Sequence, residues 1–482
     1  MAGPAVLENY VGGRWRPSLA APTLDVPNPG TGELLAKVPL STRADVDEAI
    51  SAARTAFIGW RAVPVADRAR VIARFAAILE REAESLAEHV VQENGKSFEE
   101  ARGSVRRGIE ATEFATSAPT LLQGRVLENV TPGVDTELVR EPVGVVVGIT
   151  PFNFPVMIPL WMAPLAIVCG NTFILKPSER VPISAVSLTR LFEEAGVPPG
   201  VFNLIHGSAE AVDALLRHPG VDAVSFVGSA STARHVYSTA ADAGKRVQAL
   251  SGAKNHVVVL PDADLDRSVP AILSSAFGSS GERCLAGSVV VAVEPIGDEL
   301  VRRLAEGVRG LRPGPAEEGG NSLGPLIRPE HAARVQDWVA RGRAEGAEVV
   351  ATGTPSGRVD GYFVAPVLFD HVRPEMAVAQ EEIFGPILCV IRAASLPEAL
   401  AIANRSRFGN AAAIFTRSGR AAREFRTGIE VGMVGVNIGV PAPAAYFPFV
   451  GWKGSFYGDL HATGSDAVEF YTRKKVVTTR WF

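Results

Sequence analysis

Cysteine is scarce, with three in 482 residues. Three thiols cannot staple a chain of this length, so a disulfide framework is excluded and a reducing compartment, the cytoplasm, is expected. A positive excess is missing too: Lys+Arg 48 against Asp+Glu 52 leaves a formal net charge of −4. A nucleic-acid face needs clustered cations, so no nucleic-acid partner is expected. Long apolar runs are also lacking. The longest, Pro155 to Cys169, has 15 residues and contains Pro159 and Pro164, short of the ~20 that span a bilayer. Glu8 stands early with no apolar run around it, which argues against a signal peptide, and the start lacks the Arg- and Ser-rich character of a transit peptide. Only eight of the 48 basic residues are lysine. What remains is ordinary: 47% hydrophobic and 21% charged residues describe a folded chain with a large core. Its length suggests two or three domains at ~150 residues each.

Residues 1–40 read as short extended segments broken by Gly12-Gly13, Pro27, Pro29-Gly30 and Gly32. From Thr42-x-x-Asp45, a helix-start signature, Val46, Ile50, Ala53 and Phe57 follow at helical spacing. Two more helices fit 66–93 and 98–116. Strand-like and helix-like segments then alternate. Val145–Ile149, Phe173–Leu175, Val201–Ile205 and Ala223–Val227 read as strands, with helices at Ser184–Ala195 and Ala230–Ala241. The alternation resumes with Ser288–Val293, Pro386–Val390 and Ala412–Phe415. Two successive α/β units with parallel sheets are therefore expected. Leu121–Val130 and the tail Val468–Trp481 look extended.

Three places carry chemistry. The strand Ala223–Val227 ends in Gly228-Ser229 before a helix. A glycine there lets backbone approach a phosphate, and the helix start offers free N–H groups; no G-x-G-x-x-G is present, and a plain tight turn is the alternative. At the end of Phe173–Leu175 stand Lys176 and Glu179. A cation and a carboxylate at a strand C-terminus can grip ribose hydroxyls; surface charge is the alternative. Third, Gly278-Ser279-Ser280-Gly281-Glu282-Arg283 leads into Cys284. Small flexible residues can seat a thiol at a crowded site, and a neighbouring cation with nearby N–H groups favours the thiolate. Cys169 and Cys389 lie inside apolar runs and read as core.

Together these segments resemble the aldehyde dehydrogenase superfamily from about residue 8 to the end. The motifs are Thr150-Pro151-Phe152-Asn153-Phe154-Pro155, Lys176-Pro177-Ser178-Glu179, Phe226-Val227-Gly228-Ser229, Gly252-Ala253-Lys254-Asn255, Gly281-Glu282-Arg283-Cys284 and Glu381-Glu382-Ile383-Phe384-Gly385-Pro386. The resemblance implies that Cys284 attacks an aldehyde carbonyl. It implies an oxyanion hole made by the Asn153 amide and the Cys284 N–H, with hydride passing to NAD and a thioester left on Cys284. It also implies that Lys176 and Glu179 hold the adenosine ribose, Ser229 a phosphate and Glu382 the nicotinamide ribose. Thr150, Phe152, Arg180, Gly228, Leu250 and Phe384 would complete the cofactor site; no metal is implied. Glu179 would disfavour the 2′-phosphate of NADP. Ala233 departs from the glycine that many relatives place there, which leaves the helix start less certain.

The most informative departure is Leu250. Hydrolytic members read Glu-Leu-Gly-Gly-Lys, and that glutamate activates the water that cleaves the thioester. Here the run is Leu250-Ser251-Gly252-Ala253-Lys254, and leucine cannot take a proton. A crippled enzyme, or one with a relocated base, is one alternative. The other is that coenzyme A, a stronger nucleophile than water, takes the acyl group. That pattern resembles the CoA-acylating methylmalonate-semialdehyde branch, as do Gly252–His256, Pro151–Trp161 and Gly451-Trp452-Lys453 with Phe456 and Gly458-Asp459. Arg107 and Arg283 match that branch, and their forked donors suit a substrate carboxylate. The resemblance then implies oxidation of malonate semialdehyde or its 2-methyl form, with coenzyme A as co-substrate and loss of CO2.

The implied fold is α/β: a Rossmann-type NAD domain (1–118 and 142–250), an α/β catalytic domain (251–445) and a β oligomerisation arm (119–141 and 463–482). A homo-tetramer is the usual state, with a dimer as alternative. Competing readings are a hydrolytic NAD-dependent dehydrogenase of another semialdehyde, such as succinate semialdehyde, and a non-catalytic structural protein on the same fold.

Overall fold

A computed structural model describes residues 5–19, 22–315, 322–354 and 361–482. Within it, the strands form two large sheets, one of three strands and two of two strands. The first has eight strands in the order Arg14–Arg16, Asn9–Val11, Phe202–Leu204, Thr172–Lys176, Val145–Ile149, Ala223–Val227, Arg246–Leu250 and Phe456–Tyr457. Its five central strands are parallel, and the outer ones run antiparallel. The β-branched run Val145–Ile149 is buried along its whole length, as a strand covered on both faces must be.

From this central strand the chain steps outward to Thr172–Lys176 and Phe202–Leu204. It then returns to the other side for Ala223–Val227. The order of strands therefore reverses between Ile149 and Val227, the place where open α/β sheets form a ligand crevice. Register brings the strand ends level: Ile149 pairs with Lys176 and Phe226, and Val227 with Leu250.

The second sheet has seven strands: Glu348–Thr352, Val367–Asp370, Ile387–Ala393, Val289–Val293, His256–Val259, Ala411–Phe415 and Met433–Val436. All but Glu348–Thr352 run parallel. The third sheet pairs Thr472–Arg480 with Val134–Pro142, and that strand with Arg125–Thr131. The two large parallel sheets match the expected pair of α/β units.

Three local expectations need correction. The segment expected as one helix over 66–93 is two, Val65–Arg81 and Ala83–Asn94. Glu82 leaves the helical backbone (φ −96°, ψ 8°), so Phe75 and Leu79 before it and Leu86 and Val90 after it all reach the core. The tail is not extended throughout: Gly464–Phe470 is helical, which buries Ala467, Val468 and Phe470, and the strand begins at Thr472. Leu121 likewise closes a short helix, Ala118–Leu121, ahead of the strand Arg125–Thr131.

The apolar run noted above forms the helix Met157–Val168, buried at every position. It belongs to the interior packed against the first sheet. No helix among the described residues is long and apolar enough to cross a membrane.

Candidate active site

The ends of the parallel strands form one edge of the site. Thr150 follows its strand and donates its N–H to the Lys176 carbonyl at 3.1 Å. Lys176 is buried, and its Nζ meets Glu179 Oε2 at 3.3 Å. Burial presses the Lys176 amine below its ordinary pKa, against the pull of Glu179. Burial, the largest single effect, would raise Glu179, but Lys176, the Glu179 backbone N–H and Arg180 together hold the carboxyl below the usual range. The expected ribose-gripping residues therefore stand as one pre-formed pair. Arg180, half-buried beside them, keeps its Nε without a partner among the described residues.

Gly228 donates its N–H to the Leu250 carbonyl at 3.2 Å. A Cβ at Gly228 would lie 2.4 Å from the Phe226 ring. Ser229 stands at the N-cap position of the 13-residue helix Ala230–Asp242, its side chain making no capping hydrogen bond. Its hydroxyl lies 2.9 Å from Thr232 Oγ1 and 3.5 Å from Ser231 Oγ. The helix thus starts where expected despite Ala233, which is buried.

The other edge is a loop, not a strand end. Cys284 sits between the helix Leu265–Phe277 and the strand Val289–Val293. Ser279, Ser280 and Gly281 are all left-handed (φ 50°, 53° and 76°). A Cβ at Gly281 would lie 2.3 Å from the Gly385 carbonyl, so glycine is needed there. The two serines each carry backbone strain of order 1–3 kcal/mol and need outside support. Glu100 Oε1 accepts the Ser279 N–H at 2.6 Å, and Ser280 Oγ donates to the Gly324 carbonyl at 2.6 Å.

Beyond the bend, the Cys284 carbonyl accepts from Asn255 Nδ2 at 2.9 Å and from Asn410 Nδ2 at 2.8 Å. Asn410 was not singled out in the sequence. Its one signal is position: a polar residue directly ahead of the buried strand Ala411–Phe415, where it must find an internal partner.

Cys284 is partly exposed and faces the N–H groups of Cys284 and Leu285. The expected thiolate is corrected. Burial pushes the thiol up to about 12, and the Glu382 carboxylate adds to this. The two N–H groups and Arg283 pull the other way and are outweighed. Cys169 and Cys389 are buried, as expected of core thiols.

Asn153 is buried beside this loop, and its Nδ2 donates to the Glu282 carbonyl at 3.0 Å. One amide hydrogen is used there, and among the described residues the second has no acceptor. Glu382 Oε1 accepts the Ala253 N–H at 2.9 Å. A Cβ at Gly252 would come within 2.6 Å of its other oxygen. Burial pushes Glu382 up to about 7, against the Ala253 N–H, Lys254 and the arginines Arg334 and Arg407. Phe384 is left-handed (φ 58°), and its ring meets Phe152 edge-on with centroids 5.9 Å apart. Three loops therefore meet: Thr150–Phe154, Gly281–Cys284 and Glu381–Pro386.

A model of the aldehyde dehydrogenase family matches residues 15–477. The chain belongs to the aldehyde dehydrogenase family. It is 53% identical over 481 residues to malonate-semialdehyde dehydrogenase 1 of Geobacillus thermodenitrificans, covering 99% of each chain. A malonate-semialdehyde dehydrogenase of Halalkalibacterium halodurans is 51% identical over 476 residues, covering 98% of each. Among solved structures, the methylmalonate-semialdehyde dehydrogenase of Oceanimonas doudoroffii superposes with a TM-score of 0.97 at 48% identity, covering 99% of this chain and 98% of that one. The NAD complex of a Sinorhizobium meliloti 1021 protein gives 0.98 at 42% identity, covering 100% and 99%.

In this aldehyde dehydrogenase, Leu250 is 5% exposed. It pairs with Val227 on one side and Phe456 on the other. No proton acceptor stands at that position. Arg107 is half-buried on the helix Phe98–Ala115 and donates to the Pro443 carbonyl at 2.7 Å. Its helix neighbours differ: Arg102 pairs with Glu99, and Arg106 with Glu80, on the exposed side. Among the described residues Arg107 pairs with no carboxylate. Arg283 folds back on the helix Leu265–Phe277, donating to the carbonyls of Ser274 and Ser275. Its Nε is buried without a partner among the described residues. Glu282 was quoted only as part of a motif. Burial pushes its carboxyl up to about 8, against the Ile327 N–H, Lys96 and Arg334.

Proposed function

We propose that this enzyme oxidises malonate semialdehyde or its 2-methyl form with NAD. The acyl group then passes to coenzyme A with loss of CO2, giving acetyl-CoA or propionyl-CoA. The observation that carries this reading is Leu250: a buried leucine, paired on both sides, occupies the position from which a carboxylate would activate water. The names of the relatives support the substrate class, and the dehydrogenases that bear them match along nearly the whole chain.

The strand-end cradle fits a dinucleotide. At Gly228 and Gly252 a Cβ would run into the Phe226 ring and the Glu382 carboxylate, so glycine lets both side chains keep their places beside the strand ends. Ser229, Ser231 and Thr232 gather hydroxyls at a helix start suited to a phosphate. Lys176 and Glu179 would hold the adenosine ribose, with Thr150 and Arg180 beside them, and Glu382 the nicotinamide ribose, with Phe152 and Phe384 as its walls. Bound NAD supplies the acceptor for the hydrogen and two electrons that leave the aldehyde carbon.

The partly exposed Cys284 thiol gives its proton to solvent, and its sulfur bonds to the aldehyde carbon. The carbonyl oxygen becomes an oxyanion, received by the free Asn153 Nδ2 hydrogen and the Cys284 N–H. A donor of this kind is worth ~3–4 kcal/mol at the transition state. Oxidation leaves a malonyl or methylmalonyl thioester on Cys284; its free carboxylate leaves as CO2, and the electron pair left on the neighbouring carbon takes a proton from solvent, giving the acetyl or propionyl thioester. The coenzyme A thiolate attacks its carbonyl carbon, and Cys284 leaves as thiolate. A thiolate needs no base to activate it at that step, so Leu250 is no handicap. Arg107 and Arg283 would receive the substrate carboxylate, Arg283 through its unpartnered Nε. The sheet of Arg125–Thr131, Val134–Pro142 and Thr472–Arg480 exposes Val126, Leu127 and Val476, a surface for a homo-tetramer or dimer.

The test is product analysis with malonate semialdehyde labelled at its carboxylate. The expected products are unlabelled acetyl-CoA and labelled CO2; labelled malonate as the main product contradicts the reading.

A further inference from the structure

We infer that Lys96 is a positioning residue for the reaction, one that holds the oxyanion donor Asn153 in place. The inference rests on the role given to Asn153 above.

Lys96 stands just ahead of the helix Phe98–Ala115, whose N-cap is Ser97. It is only 3% exposed. Its Nζ donates to the Asn153 carbonyl at 2.5 Å and lies 4.2 Å from the centre of the Phe154 ring. Among the described residues it makes no ion pair with a carboxylate. Glu100, Glu282 and Arg283 are its charged neighbours at longer range.

A buried ammonium without a direct counter-ion is costly, and proteins retain one where it does something specific. Here the charge meets one carbonyl and one ring face, both on the loop that carries the oxyanion donor. A charge-assisted hydrogen bond and a cation–π contact are each stronger in such a dry site than in water.

The neighbours show what this holds. Asn94, two residues earlier, donates its Nδ2 to the Phe152 carbonyl at 3.1 Å. Asn94 and Lys96 therefore fix two successive carbonyls of the Phe152–Phe154 loop. Asn153 is fixed from its far end as well, through Nδ2 on the Glu282 carbonyl. With its backbone tied by Lys96 and one amide hydrogen tied to the nucleophile loop, the remaining hydrogen has one direction left.

The experiment is a double-mutant cycle on single-turnover NADH formation, using Lys96→Met, Asn153→Ala and the double variant of the full enzyme. Loss of an oxyanion donor slows such a step ~10²–10³-fold, and Asn153→Ala should fall in that range. Lys96→Met should slow it about tenfold or more, with the KM for NAD unchanged. In the Asn153→Ala background the Lys96 substitution should add nothing further, and Lys96→Arg should recover part of the rate. If Lys96→Met does not fold, Lys96→Gln replaces it in the same cycle. Losses that multiply in the double variant overturn the inference and leave the reading of Asn153 intact. An unchanged rate in Asn153→Ala overturns that reading, and the inference with it.

Discussion

The two edges of the site are built by opposite means. The edge proposed for the cofactor is a row of parallel strand ends: the register of four neighbouring strands puts Lys176 level with Ile149 and Phe226, Leu250 level with Val227 one residue on, and Thr150 and Gly228 directly after their strands. The nucleophile edge has no such scaffold. Its Ser279–Gly281 bend is left-handed throughout. It is held by side chains from distant parts of the chain: Glu100, Asn255 and Asn410 on the loop, and Lys96 and Asn153 beside it. Regular hydrogen bonding positions a cofactor along a line. A single reacting sulfur needs fixing at a point, and long-range hydrogen bonds supply it.

That contrast can be broken at several points. The largest effect is expected from Cys284→Ala, which removes the proposed nucleophile and should slow NADH formation by at least about 10⁴-fold; a protein that kept full activity would place the chemistry elsewhere. Arg107→Leu comes next. Losing a partner for a buried carboxylate costs ~2–5 kcal/mol, so the KM for malonate semialdehyde should rise at least tenfold while propanal is barely affected. An equal change for both aldehydes would put Arg107 outside the substrate site.

Asn410→Ala sharpens the comparison directly. It takes one of two anchors from the Cys284 carbonyl and should lower stability by ~1–3 kcal/mol. The rate of single-turnover NADH formation should fall while the KM for NAD stays constant. A change in the KM for NAD alone would show that the two edges are not built independently.

The smallest effect is on pH dependence. Burial raises the Glu282 carboxyl to about 8 in the folded protein, far above the ordinary ~4.3. Between those values the folded state holds a proton that the unfolded state releases, so stability falls as pH rises from about 4.5 to 8. Glu282→Gln should therefore flatten the decline of Tm between pH 5.5 and 8.5. An unchanged slope would mean that Glu282 is ionised in the folded protein. Glu93 and Glu382, each raised to about 7, leave a residual slope of the same sign.

The difference between the edges also explains what was legible in the sequence. The strands at Val145–Ile149 and Ala223–Val227 show as β-branched and apolar runs, and the residues just past them inherit their place. Cys284 stood out through its glycine- and serine-rich approach. Its surroundings did not, because hydrogen bonds from residues 100, 255 and 410 span up to 179 positions of sequence. The thiolate expectation failed for the same reason. Arg283 is visible next to Cys284 in the chain, whereas the burial and the Glu382 charge that outweigh it arise only on folding. Glu82 hid a helix break because its local pattern stays apolar on one face across it.

Leu250 cannot activate water, and the acyl group is proposed to leave to coenzyme A instead. NADH formation from malonate semialdehyde, followed with and without coenzyme A, tests it most directly. Without coenzyme A the account predicts a burst of about one NADH per active site and then a stall, and with it sustained turnover. Equal steady rates in both, with free acid as the product, would contradict it.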